Sequence, residues 1–211
     1  MKLEFRSFSS LCTVVFVSIF VLIGCAPTGR ERAADTATSM QAVEEDYRQA
    51  LVQIDKTNAA LEDLVSPQQV DTKKAFDVYS KNVREMEKLG EQLTMRTEKM
   101  STQGDAYLAE WETSYTGSEI QALSEQRRIE VRELYANIPN ASVGVKGALQ
   151  SYLTDIKEIQ MYLANDLTPQ GIDAIRPVTR KAVVDGDNLK STIWPVLSAF
   201  ERIKAVTGAK K

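Results

Sequence analysis

Residues 76–111, FDVYSKNVREMEKLGEQLTMRTEKMSTQGDAYLAEW, carry apolar side chains at Phe76, Tyr79, Val83, Met86, Leu93, Met100, Tyr107 and Trp111. The steps are threes, fours and sevens, the spacing that holds one face of a helix against a partner. Gly90, Thr97 and Gly104 fill the intervening seam positions, and their small size lets a second helix approach closely. No proline interrupts residues 71–115. A single helix over that run would be ~67 Å long, the length of a coiled-coil arm rather than of an ordinary globular helix.

The same spacing appears on either side. Upstream, Met40, Val43, Tyr47, Ala50, Ile54, Thr57, Leu61 and Leu64 alternate steps of three and four, so a first helix is expected from about Asp35 or Thr36 to Val65. Ser66-Pro67 stops it. Ser66 as cap, Pro67 at the first helical position and Gln69 closing a capping box predict the start of the second helix there. Downstream, Gly117 can take the left-handed conformation that ends a helix, and Ser118 with Gln121 reads as the next capping box.

A third helix carries Ile120, Leu123, Val131, Leu134 and Ile138, and its pattern resumes at Val145, Leu149, Tyr152, Ile156, Ile159 and Leu163. Pro139 lies between the two halves, which leaves residues 140–147 open as a kinked joint or a short loop. Thr168-Pro169 then marks an N-cap and first helical residue. The fourth seam runs through Ile172, Ile175, Thr179, Ala182, Gly186, Leu189, Ile193, Val196, Phe200 and Ile203, with Pro177 and Pro195 inside it. Alternating strand patterns are absent. The expected fold is all-α: an elongated, antiparallel up-down-up-down bundle, or coiled-coil hairpin, of about four helices over residues 36–206, with a frayed tail at 207–211.

The N-terminus reads as an address. Lys2 and Arg6 precede an apolar run from Leu11 to Ile23, too short to span a bilayer comfortably and the right length for a signal-peptide core. It ends in Leu22-Ile23-Gly24-Cys25, which resembles the bacterial lipobox. That resemblance implies that residues 1–24 are a signal peptide and that Cys25 is lipidated as the first mature residue. The plainer reading is a signal peptide with an incidental cysteine. Residues 25–35 read as a flexible tether, with a reach of ~35 Å when fully extended. Ala26, in place of the aspartate that retains lipoproteins of this kind at the inner membrane, favours the outer membrane facing the periplasm.

The chemistry that remains is sparse. There is no histidine, and Cys12 leaves with the signal, so the usual general base, imidazole metal ligands and free thiols are missing. Removing Lys2, Arg6 and Glu4 takes the 26 basic and 29 acidic residues to 24 and 28. So mild and mixed a balance argues against nucleic acid and against a polybasic lipid-binding face. Glu110 and Glu112 flank Trp111 but point to different sides of a helix. Asp185-Gly186-Asp187-Asn188 starts like a calcium loop and then departs from it at Leu189 and Lys190. Met86 and Met100 lie on the seam as gap fillers. No enzyme activity, cofactor or metal is expected.

Three segments carry a family resemblance: residues 106–112 (AYLAEWE), Ser124-Glu125-Gln126-Arg127-Arg128 with Glu130-Val131-Arg132, and residues 152–169 (YLTDIKEIQMYLANDLTP). Together they resemble the bacterial envelope proteins grouped as domain of unknown function 2959. The resemblance implies long helices, coiled-coil character and an envelope location, and it assigns no functional residues.

The expected role is that of a membrane-anchored periplasmic lipoprotein acting as a structural spacer or adaptor. Its partners would be the membrane, through lipid on Cys25, and an envelope protein or a second copy of itself. The alternative is a bundle whose amphipathic helices bind lipid or apolar cargo. One interaction patch stands out: Tyr107, Trp111 and Tyr115 are four residues apart, just before Gly117. Either they pack on Ile120, Leu123 and the third helix, or part of the patch is exposed to a partner or a membrane. The C-terminal Lys211 matches the way the murein-linked lipoprotein attaches to peptidoglycan; the plainer reading is a solvated basic tail.

Overall fold

The computed structural model describes residues 29–110 and 117–207. They form four helices: α1 (Gly29–Leu64), α2 (Thr72–Glu110), α3 (Ser118–Asn165) and α4 (Pro169–Thr207). There is no strand among the described residues. The helices pack antiparallel around a ring, α1 beside α2 and α4, and α3 beside α2 and α4. Up-down-up-down order puts the α1–α2 and α3–α4 turns at one end, the far pole. The starts of α1 and α3 and the described ends of α2 and α4 share the other, the near pole.

The seams explain the packing. Every α1 seam residue from Met40 to Leu64 is buried. Tyr79, Val83, Met86, Leu93 and Met100 face them from α2, Val145 to Leu163 from α3, and Ala182 to Ile203 from α4. Each large side chain that is fully removed from water contributes about 1.5–3 kcal/mol. Tyr47 and Phe200 meet in a tilted ring contact with centroids 6.4 Å apart, joining α1 to α4.

The ends differ from the sequence reading in four ways. α1 begins at Gly29, so it takes in most of the expected tether; Arg30-Glu31-Arg32-Ala33-Ala34 are strong helix formers. Ser66 to Gln69 makes a turn, with the Gln69 amide on the Ser66 carbonyl at 3.1 Å, and does not start α2. Asp71 caps α2 instead, its Oδ1 accepting from the Lys74 amide at 3.0 Å. The Gln69 side chain, expected to close a box on Ser66, donates to Asp63 at 2.8 Å. Finally, Gly117 is extended (φ −89°, ψ 132°) and is the N-cap of α3 rather than a left-handed helix end.

Residues 140–147 are helical, so α3 is one 48-residue helix through Pro139. Pro139 is exposed, as are Pro177 and Pro195, so water can satisfy the carbonyls that lose an amide partner. Thr168 and Pro169 start α4 as expected. The Gly171 amide donates to Thr168 Oγ1 at 3.1 Å and the Ile172 amide to its carbonyl at 2.9 Å.

Candidate interaction surfaces

A polar layer crosses the bundle in the part nearer the far pole. Tyr152 of α3 donates its hydroxyl to Asn58 Oδ1 of α1 at 2.8 Å, and Asn58 Nδ2 donates to the Val183 carbonyl of α4 at 3.4 Å. Gly186 makes room: a Cβ there would sit 2.7 Å from Asn58 Nδ2 and 3.0 Å from the Tyr152 ring. Tyr79 donates to the Ile156 carbonyl at 2.7 Å. Burial pushes both phenols far above their ordinary range, so they stay neutral donors at any physiological pH. These groups fix the register of the helices, because a shift of one turn would strand each of them.

A charged cluster braces the half nearer the near pole. Glu44, almost wholly buried, pairs with Arg48 at 2.8 Å and with Lys204 of α4 at 2.5 Å. Arg48 also reaches Glu201 at 2.8 Å. Asp46, equally buried, accepts from Gln92 at 2.7 Å and Arg96 at 2.8 Å, tying α1 to α2. Burial pushes the Glu44 carboxyl up, but the hydrogen bonds and charges of Lys204 and Arg48 outweigh it, and the group ends below its ordinary 4.5. With its pKa depressed in the folded state, Glu44 contributes stability that is complete above 4.5 and is lost as pH falls through the folded value. Glu44→Gln is therefore expected to lower the melting temperature at neutral pH and to flatten its fall below pH 4.5. Equal acid slopes for the two proteins would show that the cluster contributes nothing.

At the near pole only Tyr107 of the expected patch is among the described residues. Trp111 and Tyr115 lie outside the described residues, as do Cys25, Leu22 to Gly24 and Lys211. Tyr107 is half-buried beside Tyr135, whose phenol is pushed up to about 12, first by burial and then by Tyr107. Gly104 lies against the same ring, 3.2 Å from where its Cβ would be. Ile120 and Leu123, expected in the core as a floor for the aromatics, are instead 59% and 68% exposed.

The described helices differ in length at this pole. A Cβ on Gly144 would sit 3.5 Å from Thr192 of α4, which puts the two at one level. From there α3 runs ~39 Å to Ser118, while α4 runs only ~22 Å to Thr207. The first turns of α3 thus project ~17 Å past the described end of α4. They also outrun Glu110, the last described residue of α2, by ~16 Å, counted from the Gly104–Tyr135 contact. The start of α1 keeps pace. Below the Asn58–Tyr152 hydrogen bond, α1 covers ~44 Å to Gly29 and α3 ~51 Å to Ser118.

At the far pole a shallow, mostly apolar groove lies between α1 and α4, lined by Leu61, Val65, Pro67, Val183 and Val184. Val70, in the adjoining turn, is 97% exposed. Neither the groove nor the buried polar layer was singled out from sequence. Asn58 follows seam residue Thr57, and that adjacency was the only hint of a polar layer. Among the described residues no three carboxylate, thiol or imidazole groups gather as metal ligands, and no helix is long and apolar enough to cross a membrane.

A family model described as "Protein of unknown function (DUF2959)" matches residues 30–201. No curated protein and no solved structure matches the chain.

Proposed function

The chain belongs to the DUF2959 family, and from that premise we propose that it is a lipid-anchored helical rod, a spacer or adaptor in the bacterial envelope rather than an enzyme. One observation carries the reading: the buried seam is continuous from Met40 and Ile203 near one pole to Leu64 and Leu163 at the other. A filled interior of interlocked side chains has low compressibility and transmits force along its length, as a spacer requires. Leu22 to Cys25, after an apolar run, supports anchoring at the N-terminal end, and Ala26 supports the outer membrane, facing the periplasm.

The test is Cys25→Ala. The wild type is expected to incorporate labelled palmitate and to fractionate with the outer membrane, and the variant to do neither. A variant that still does both overturns the lipoprotein reading. The groove at Leu61, Val65 and Val183 supports a second reading, in which apolar cargo or the apolar edge of a partner helix docks at the far pole.

A further inference from the structure

We infer that the first turns of α3 are a membrane-contacting tip, with Ile120 and Leu123 seated in the interfacial layer of the bilayer that holds the lipid anchor. The inference rests on the lipoprotein reading and adds an orientation to it.

The anchor and the tip share a pole. Only three residues separate Cys25 from Gly29, the first residue of α1. Fully extended, that stretch reaches ~14 Å. The ~35 Å of slack expected from the sequence is therefore gone, because α1 takes up the rest of the tether. A lipid on Cys25 holds the start of α1 within that short distance of the membrane surface. Ser118 lies at about the level of Gly29: by the Tyr47–Phe200 and Gly144–Thr192 contacts, each stands ~17 Å past Thr207. The described part of α4 ends short of both. The starts of α1 and α3 are thus the membrane-proximal described parts of the bundle.

The chemistry at that point suits an interface. Ile120 and Leu123 are large, aliphatic and mostly exposed. They are three residues apart, so they sit on neighbouring ridges of one helix. The charges behind them are paired rather than of one sign. Arg127 bonds Glu130 at 2.9 Å, and Arg128 bonds Glu125 at 3.0 Å. Glu119, exposed beside Ile120 in the first turn, is the acidic group at the tip itself. Interfacial helices bury their apolar face roughly 5–10 Å into the headgroup and acyl boundary, a depth that two such side chains can reach from a helix already held at the surface. The lipid supplies the affinity, and the tip sets the angle at which the rod stands.

The experiment uses the full-length, lipidated protein in vesicles of phosphatidylethanolamine and phosphatidylglycerol. Leu123→Cys carries an environment-sensitive fluorophore, and Val70→Cys, at the far pole, serves as its control. Lipids brominated near the headgroup end of the acyl chain are expected to quench the label at 123 and leave the label at 70 bright. Adding Ile120→Asp to the Leu123→Cys protein is expected to relieve that quenching. Labels at 123 and 70 equally bright in brominated lipid overturn the tip, and palmitate incorporation in the same preparation shows that the anchor itself stands. Blue-shifted emission at 123 without lipid quenching also overturns it, since a protein would then be covering the site. Absence of both palmitate and flotation with vesicles overturns the anchor and the tip together.

Discussion

Tyr152→Ala is expected to destabilise the bundle by about 3–5 kcal/mol, the range for emptying a fully buried aromatic site. Tyr152 has no exposed surface and stands where α1, α3 and α4 meet. Its loss leaves a cavity and takes away the hydroxyl that satisfies Asn58. For a chain of this size the melting temperature should fall by roughly 10 °C. Tyr152→Phe separates the two parts, because it keeps the ring and leaves only Asn58 Oδ1 unpaired, at a cost of about 1–2 kcal/mol. Thermal denaturation followed by circular dichroism reads both. If alanine and phenylalanine cost the same, the ring contributes nothing and the polar layer is not packed as described.

Gly186→Leu is expected to be nearly as damaging, at about 3 kcal/mol, the upper end for overpacking a core. Leucine is a better helix former than glycine, by just under 1 kcal/mol. That gain is outweighed, because even a Cβ would sit 2.7 Å from Asn58 Nδ2 and 3.0 Å from the Tyr152 ring. The helices must separate or Asn58 must leave its hydrogen bonds. Gly147 is the internal control. It is exposed in α3 with nothing within 4 Å of its Cβ position, so Gly147→Ala is expected to stabilise by about 0.5–1 kcal/mol. The signs of the two substitutions should be opposite. In Tyr152→Ala/Gly186→Leu the leucine can enter the vacated space, so the double variant should lose less than the sum of the two.

The middle of each helix was readable because one face must be apolar at a fixed period. Every expected α1 seam residue is buried, and so are Thr179, Ala182 and Gly186 of α4, which composition alone would not mark as core. The ends were less legible because capping is a competition. Ser66 and Asp71 both qualify as N-caps, and only the surrounding turn decides that Asp71 serves. Pro139 looked like a joint, yet a proline on the solvent face lets the helix pass through it. Ile120 and Leu123 continue the α3 period perfectly well. They lie beyond the described end of α4, and the spacing within α3 carries no information about the length of a neighbour. The pairing of Asn58 with Tyr152 was hidden for a similar reason: 94 residues separate them, and only the fold brings them to one level.

The central claim is that the start of α1 and the start of α3 share one pole, opposite the α1–α2 turn. Spin-label distances test it most directly, because the chain after Cys25 contains no other cysteine. Labels at Ala34→Cys and Gln121→Cys are expected within about 25 Å of each other, and labels at Ala34→Cys and Val70→Cys about 45 Å apart or more. A long distance for the first pair with a short one for the second would contradict the up-down-up-down order and remove the basis for the membrane-proximal tip.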